Sequence, residues 1–324
     1  MCTAVTYKTA GFYFGRTLDY DCSYSESVTV MPRRFPLSFR EMGTRENHYA
    51  IIGMAHVADG YPLYYDAMNE KGLAMAGLNF VGNAVYRPFR PGWENIAHFE
   101  FIPWILSQCA SVSEALERIG VMNMTDEAFS DGMPQAQLHW LLADRNASVT
   151  VEVVEAGIRV YPNPAGVLTN NPPFDRQLFS LNHYLNLSPR EPENRFSDQL
   201  KLKPYSRGMG ALGLPGDWSS QSRFVRGAFV KMNALSGSGE EDSVNQFFHI
   251  LGAVEQSRGC CDLGQGNHEI TIYTSCCSAD RGIYYYTTYG NHRICAVDMR
   301  RENLDGTCLA CYPLISKEQI YLQN

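Results

Sequence analysis

Nowhere in this chain of 324 residues do about 18 apolar residues run together, so no helix is expected to cross a membrane. The N-terminal MCTAVTYKTAGFYFG has no basic segment leading into an apolar one; no secretory signal is read, and a cytoplasmic protein is expected. There is no polybasic block, and 27 basic against 34 acidic side chains give a net charge of −7, which argues against a nucleic-acid partner. No glycine-rich phosphate loop, regular βαβ rhythm, internal repeat or low-complexity tract is present, and no linker is long enough to divide the chain. The eight histidines form no metal-spaced cluster; His139 in QLHWLL and His249 in FFHIL read as core or boundary residues.

What is present is globular in character: 45% hydrophobic and 19% charged residues can bury a large core and exclude disorder. Ten cysteines are free thiols in a reducing compartment, and most such thiols behave as small buried hydrophobes. The C-x-x-C of Cys308 and Cys311 sits in TCLACYPL, which reads as a strand. Residues three apart on a strand point to opposite faces, so a metal site is not expected there. Asn146-Ala-Ser148 fits a glycosylation acceptor that a cytoplasmic chain does not use.

Short runs rich in β-branched and aromatic residues dominate the first 80 positions: CTAVTY, FYFGRTLD, SVTVMP, YAIIGMAHVA, PLYYDAM and LAMAGLNF. The last two are joined by Asn69-Glu-Lys-Gly72, a hairpin signal. Residues 97–120 change to a helical period, with Phe101, Trp104, Ile105 and Cys109 on one face and Pro103 near the start. Ser111 and Glu114 form a capping box opening a second helix that Gly120 closes. AQLHWLLADR, SVTVEVVE and GIRVYP are strands. SRFVRGAFVKMNAL and the Val244, Phe247, Phe248, Leu251 pattern are helices, and HEITIYTS, GIYYYTTY, RICAVDM and TCLACYPL close the chain as strands. Blocks of antiparallel strands alternating with blocks of helices predict an α+β fold. Two antiparallel sheets packed between helices, an αββα sandwich in one domain over 2–324, is the natural arrangement.

Cys2 directly follows Met1. Removal of Met1 places a thiol and a free α-amine on one residue, and an α-amine with an ordinary pKa of about 7.7–8.0 can take a proton near neutrality. A residue whose own amine is its base is the logic of the N-terminal nucleophile. Gly15-Arg16-Thr17-Leu18-Asp19 lies on the predicted hairpin partner of the first strand; Arg16 can favour the thiolate, and Asp19 can hold the amine.

The segments MCTAVTY, FGRTLDYD, NEKGLAMAGLNF, VLTNNPPFD and GLPGDWSSQSRFVR occur in the order and spacing of the choloylglycine hydrolase family, which comprises bile salt hydrolases and penicillin V acylases. The resemblance runs over essentially the whole chain and implies the N-terminal-nucleophile hydrolase fold. It implies that Cys2 is the nucleophile with Arg16 and Asp19 beside it, that Asn79 and Asn170 are the two site asparagines, and that Arg223 is the second catalytic arginine. Asparagine at 79 is similar to bile salt hydrolases rather than to penicillin V acylases, although Phe80-Val81-Gly82-Asn83 departs from the family's usual proline after the phenylalanine. Physically, an asparagine amide can hold the negative oxygen of an attacked amide, and losing one such donor costs about 2.7–4 kcal/mol.

A steroid needs an apolar cleft, and Tyr20, Tyr24, Tyr61, Leu63, Tyr65, Phe129 and Met133 are its candidate wall. Arg207, in the glycine-rich segment before Arg223, is expected to pair with the sulfonate of a taurine conjugate and so to give a moderate taurine preference. The expected function is cleavage of the amide between a bile acid and taurine or glycine, with a conjugated bile acid as the small-molecule partner. No cofactor or metal is required. The resemblance also implies a homotetramer. The rival readings are a penicillin V acylase or other N-acyl amidase on the same scaffold, and a zinc or redox thiol protein built on the C-terminal cysteines.

Overall fold

In the computed structural model, which describes residues 1–324, two large antiparallel sheets face one another and helices cover both outer faces. The first sheet has six strands. In spatial order they are Val167–Leu168, Cys2–Lys8 (β1), Phe12–Tyr20 (β2), Ile270–Ser278, Ile283–Thr288 and Asn291–Asp298. The second has eight: Gly157–Pro162, Ser148–Val154, Leu138–Ala143, Ala74–Asn79, Tyr61–Asn69, Ile51–Ala58, Ser27–Met31 and Ala310–Pro313.

Strand period explains how both faces of each sheet are covered. On Ile51–Ala58, Ile52 and Met54 point into the core between the sheets, while Ile51 and Ala55 point to the outer core. Leu141 and Ala143 alternate with Trp140 and Leu142 in the same way. The outer face of the eight-stranded sheet is closed by α1 (Phe101–Leu106) and α2 (Val112–Ile119), whose Val112, Ala115 and Ile119 repeat at helical spacing. Beyond the six-stranded sheet lie α3 (Phe174–Ser180), α4 (Ser220–Asn233) and α5 (Glu240–Gly252); Phe224, Ala228, Val244, Phe247 and Leu251 bury against β1 and β2. No helix is long and apolar enough to cross a membrane.

Two expectations are corrected. The apolar run 97–110 is not one long helix: Glu94–Ala97 is a strand paired in parallel with Met122–Thr125, His98–Glu100 is a 3-10 turn, and α1 spans six residues. The Ser107 hydroxyl and the Gln108 amide both donate to the Trp104 carbonyl, drawing off the acceptor that another turn would use. At the C-terminus only Ala310–Pro313 is strand, and exposed Cys308 lies before it, so strand alternation does not govern the Cys308/Cys311 pair. No three His, Cys, Asp or Glu side chains cluster closely enough to hold a metal ion.

Candidate active site

β1 and β2 form a hairpin whose register places Cys2 opposite Leu18 and Ala4 opposite Arg16. Gly15 is obligatory in this segment: a Cβ there would stand 2.0 Å from the Ser275 carbonyl oxygen of the neighbouring strand. Because β1 is an inner strand covered by α4 and α5, Cys2 is buried at 3% exposure.

The backbone nitrogen of Cys2 donates to Asn170 Oδ1 at 2.8 Å. Arg223, on α4, donates from Nη2 to the same oxygen at 2.8 Å, and from Nη1 to the Cys2 carbonyl at 2.5 Å and to Thr3 Oγ1 at 2.6 Å. Asn170 Nδ2 in turn donates to the Asn79 carbonyl at 2.8 Å. Asn170 therefore joins the nucleophile strand, the Arg223 helix and the Asn79 strand end. The Asn79 side chain borders the cavity and makes no hydrogen bond to the protein.

Asp19 does not hold the Cys2 nitrogen. Its carboxylate accepts from Thr271 Oγ1 at 2.7 Å, Thr17 Oγ1 at 3.1 Å and Gln256 Nε2 at 3.3 Å, and lies 3.9 Å from Arg223 Nη1. The Met1 amine instead donates to the Asp19 carbonyl at 2.5 Å and pairs with Glu269. Burial lowers the pKa of that amine; Arg223 and Arg16 act the same way, while Cys2 and Asp19 oppose them. Thr271, Gln256 and Glu269 were invisible to sequence reasoning, because they reach the site from some 250 positions away, Thr271 on the strand beside β2 and Gln256 and Glu269 from irregular segments before it.

Arg16 is fully buried, and its guanidinium bonds only to carbonyls: Gly77 at 2.5 Å, Thr17 at 3.2 Å and Tyr65 at 3.3 Å. Burial works against its charge, but Cys2, Tyr273, Asp66 and Asp19 together outweigh burial and raise its pKa. This cation is permanent and ready to favour a thiolate at Cys2.

Cys2, Arg16 and Asn79 open onto a largely apolar cavity of about 250 Å³. Tyr20, Tyr24, Leu63, Tyr65, Phe129 and Met133 stand in its wall. Tyr61 does not: its ring lies behind the wall, packed at 6.1 Å on Phe99 and 6.0 Å on Phe129. Arg207 is not brought to the cavity either; it sits in an exposed loop with no ion pair or side-chain hydrogen bond. Wall residues that sequence reasoning missed include His98, Phe99, Ile102, Leu138 and Trp140. Apolar residues in a predicted helix or strand give no signal separating core from cavity. Burial pushes the His98 pKa down to about 4, with the Glu127 backbone opposing, so the wall carries a neutral imidazole.

The sequence matches the linear amide C–N hydrolases, choloylglycine hydrolase family, over residues 2–312. It is 53% identical to the bile salt hydrolase/transferase of Lactiplantibacillus plantarum over 100% of both chains, and 37% identical to that of Clostridium perfringens over 96% of each. A solved conjugated bile acid hydrolase from Clostridium perfringens, the C2A mutant, superposes with a TM-score of 0.92 at 36% identity over 100% of both chains. Penicillin V acylase from Agrobacterium tumefaciens shares the fold, with a TM-score of 0.75 at 17% identity, covering 99% of this chain and 100% of its own. The chain belongs to the choloylglycine hydrolase family and is a hydrolase of linear amide C–N bonds.

Proposed function

We propose that the chain, with Met1 removed, cleaves the amide between a bile acid and taurine or glycine. The observation carrying this reading is that the Cys2 nitrogen is held by Asn170 Oδ1 at 2.8 Å while Cys2 itself borders an apolar cavity. Met1 removal turns that nitrogen into the base. In its neutral form it takes the thiol proton, and the thiolate attacks the substrate carbonyl carbon. Negative charge then develops on the carbonyl oxygen, and the unpaired amide of Asn79 is the available donor. One N–H of Asn170 is committed to Asn79, which leaves the other for the same oxygen. The protonated α-amine next passes its proton to the leaving nitrogen, the C–N bond breaks, and the thioester is released by water that the same amine deprotonates. Asp19 and Arg223 keep the strand ends in register throughout.

Incubating purified protein with glycocholate and taurocholate, and measuring released amino acid beside the intact mass, tests the reading. Protein lacking Met1 that hydrolyses neither conjugate, yet cleaves penicillin V, would favour the acylase reading instead.

The same reading places the protein in the cytoplasm as a homotetramer. Exposed Leu185, Phe196, Leu200, Leu202, Tyr205 and Leu212 support self-association. Light scattering that returned the monomer mass of 36.4 kDa would refute the tetramer.

A further inference from the structure

We propose that His139 and Glu152 are positioning residues for the amide chemistry: one buried imidazole, locked between the segment carrying Asn79 and the segment carrying Asn170, sets where both asparagines stand. The inference rests on the reading that these asparagines act at the reacting amide.

His139 and Glu152 face each other across adjacent strands and are essentially sealed from solvent, at 0% and 1% exposure. The imidazole touches both asparagine segments. Phe80, directly after Asn79, stacks on it with ring centroids 4.3 Å apart and planes 8° from parallel. On the other side, Nε2 lies 2.7 Å from the carbonyl of Thr169, directly before Asn170. Glu152 holds the far end of the same loop, because Oε1 accepts the Phe174 N–H at 2.9 Å. The stretch from Thr169 to Phe174 is thus tethered at both ends by one side-chain pair.

Proton counting makes the pair a unit. A carbonyl only accepts, so Nε2 carries a proton. The 3.1 Å contact between Nδ1 and Glu152 Oε1 needs a second one. The pair therefore holds one proton more than a neutral imidazole plus a carboxylate, and is net neutral in an apolar setting that would penalise either charge alone. Glu152 Oε2 is buried with no partner, so the bonding of this carboxylate is concentrated on His139 and Phe174. A glutamine in its place cannot do both jobs. Its carbonyl can accept from Phe174 but then opposes the Nδ1 lone pair, and its NH2 can serve Nδ1 but then opposes the Phe174 N–H.

The test compares wild type, His139→Phe, which keeps the stack on Phe80, and the near-isosteric Glu152→Gln, with Asn170→Ala as reference. Unfolded protein is removed by gel filtration before assay, and active sites are counted by the iodoacetamide labelling of Cys2 that accompanies loss of activity. Both pair variants are expected to lose about ten- to a hundredfold in kcat for glycocholate, the scale of an ångström of misplacement. KM should stay within about threefold. Because Asn170 Oδ1 also holds the Cys2 nitrogen and Arg223, the loss belongs in kcat rather than in substrate binding. A kcat within about twofold of wild type would overturn the proposal, as would a KM that rose in step with the fall in kcat. Failure of both variants to fold would also overturn it, by making the pair a determinant of folding. An Asn170→Ala enzyme of full activity would instead refute the underlying site reading.

Discussion

Asn170 offers the sharpest perturbation, because one side chain serves three partners. Asn170→Ala removes the acceptor for Arg223 Nη2 and the Cys2 nitrogen, both at 2.8 Å, and the donor to the Asn79 carbonyl. A hydrogen bond to a charged group is worth about 1.5–3 kcal/mol and a neutral one about 0.5–1.5 kcal/mol. Part of that total is felt only when the nucleophile is in place, so about 3–4 kcal/mol is expected in the transition state. That is a hundred- to thousandfold loss in kcat/KM, roughly tenfold per 1.4 kcal/mol. Asn170→Asp separates geometry from charge. It keeps an oxygen toward Cys2 and Arg223 but adds a negative charge beside the α-amine. A carboxylate there favours the ammonium, so the neutral base forms only at higher pH and the acid limb of kcat moves upward. The assay is glycocholate hydrolysis across pH, with active enzyme counted by thiol labelling. Asn170→Ala retaining a third of wild-type activity, or an Asn170→Asp limb that did not move, would refute the reasoning.

Three further outcomes are expected. Cys2→Ala should fold with an unchanged melting temperature and lose essentially all hydrolysis, and Cys2→Ser should be far weaker than wild type; a tenth of normal activity in Cys2→Ala would refute the mechanism. Wild-type kcat should rise along an acid limb as the Cys2 α-amine loses its proton and becomes the base; pH-rate profiles check it, and a profile without that limb would refute the amine as base. Arg207→Gly should leave the taurocholate to glycocholate ratio of kcat/KM within about twofold, because one subunit gives Arg207 no contact with the cavity. A tenfold shift would show that a second copy carries the loop to the site.

The sequence made the N-terminal hairpin legible because Cys2, Arg16 and Asp19 belong to neighbouring strands joined by three residues, Thr9, Ala10 and Gly11. Local pattern suffices for that. Asn79, Asn170 and Arg223 are a strand end, a bend and a helix position; only resemblance brought them together, and each alone reads as an ordinary turn or surface residue. The amine-side partners were hidden for a topological reason: the strand carrying Thr271 inserts beside β2 after a gap of roughly 250 residues, which periodicity does not encode. Tyr61 was misplaced because strand alternation does not distinguish a ring in the cavity wall from one packed behind it. His139 was read as a core or boundary residue, and burial makes it core; its two hydrogen-bond partners depend on chain crossings that the sequence leaves open.

Part of the apolar wall stands on a different kind of backbone from the reacting groups, although Tyr20, Leu63, Tyr65, Leu138 and Trp140 stand on strands. Cys2, Arg16 and Asp19 project from paired strands, and Arg223 from a fourteen-residue helix. Tyr24, Phe129, Met133 and Pro134 come from irregular segments between strands. Loops accept exchange and insertion far more readily than strands in the middle of a sheet. The scaffold is therefore modular for engineering: transplanting residues 21–26 and 126–137 should change which acyl body is accepted, while the bond-breaking machinery travels unchanged from one specificity to the next.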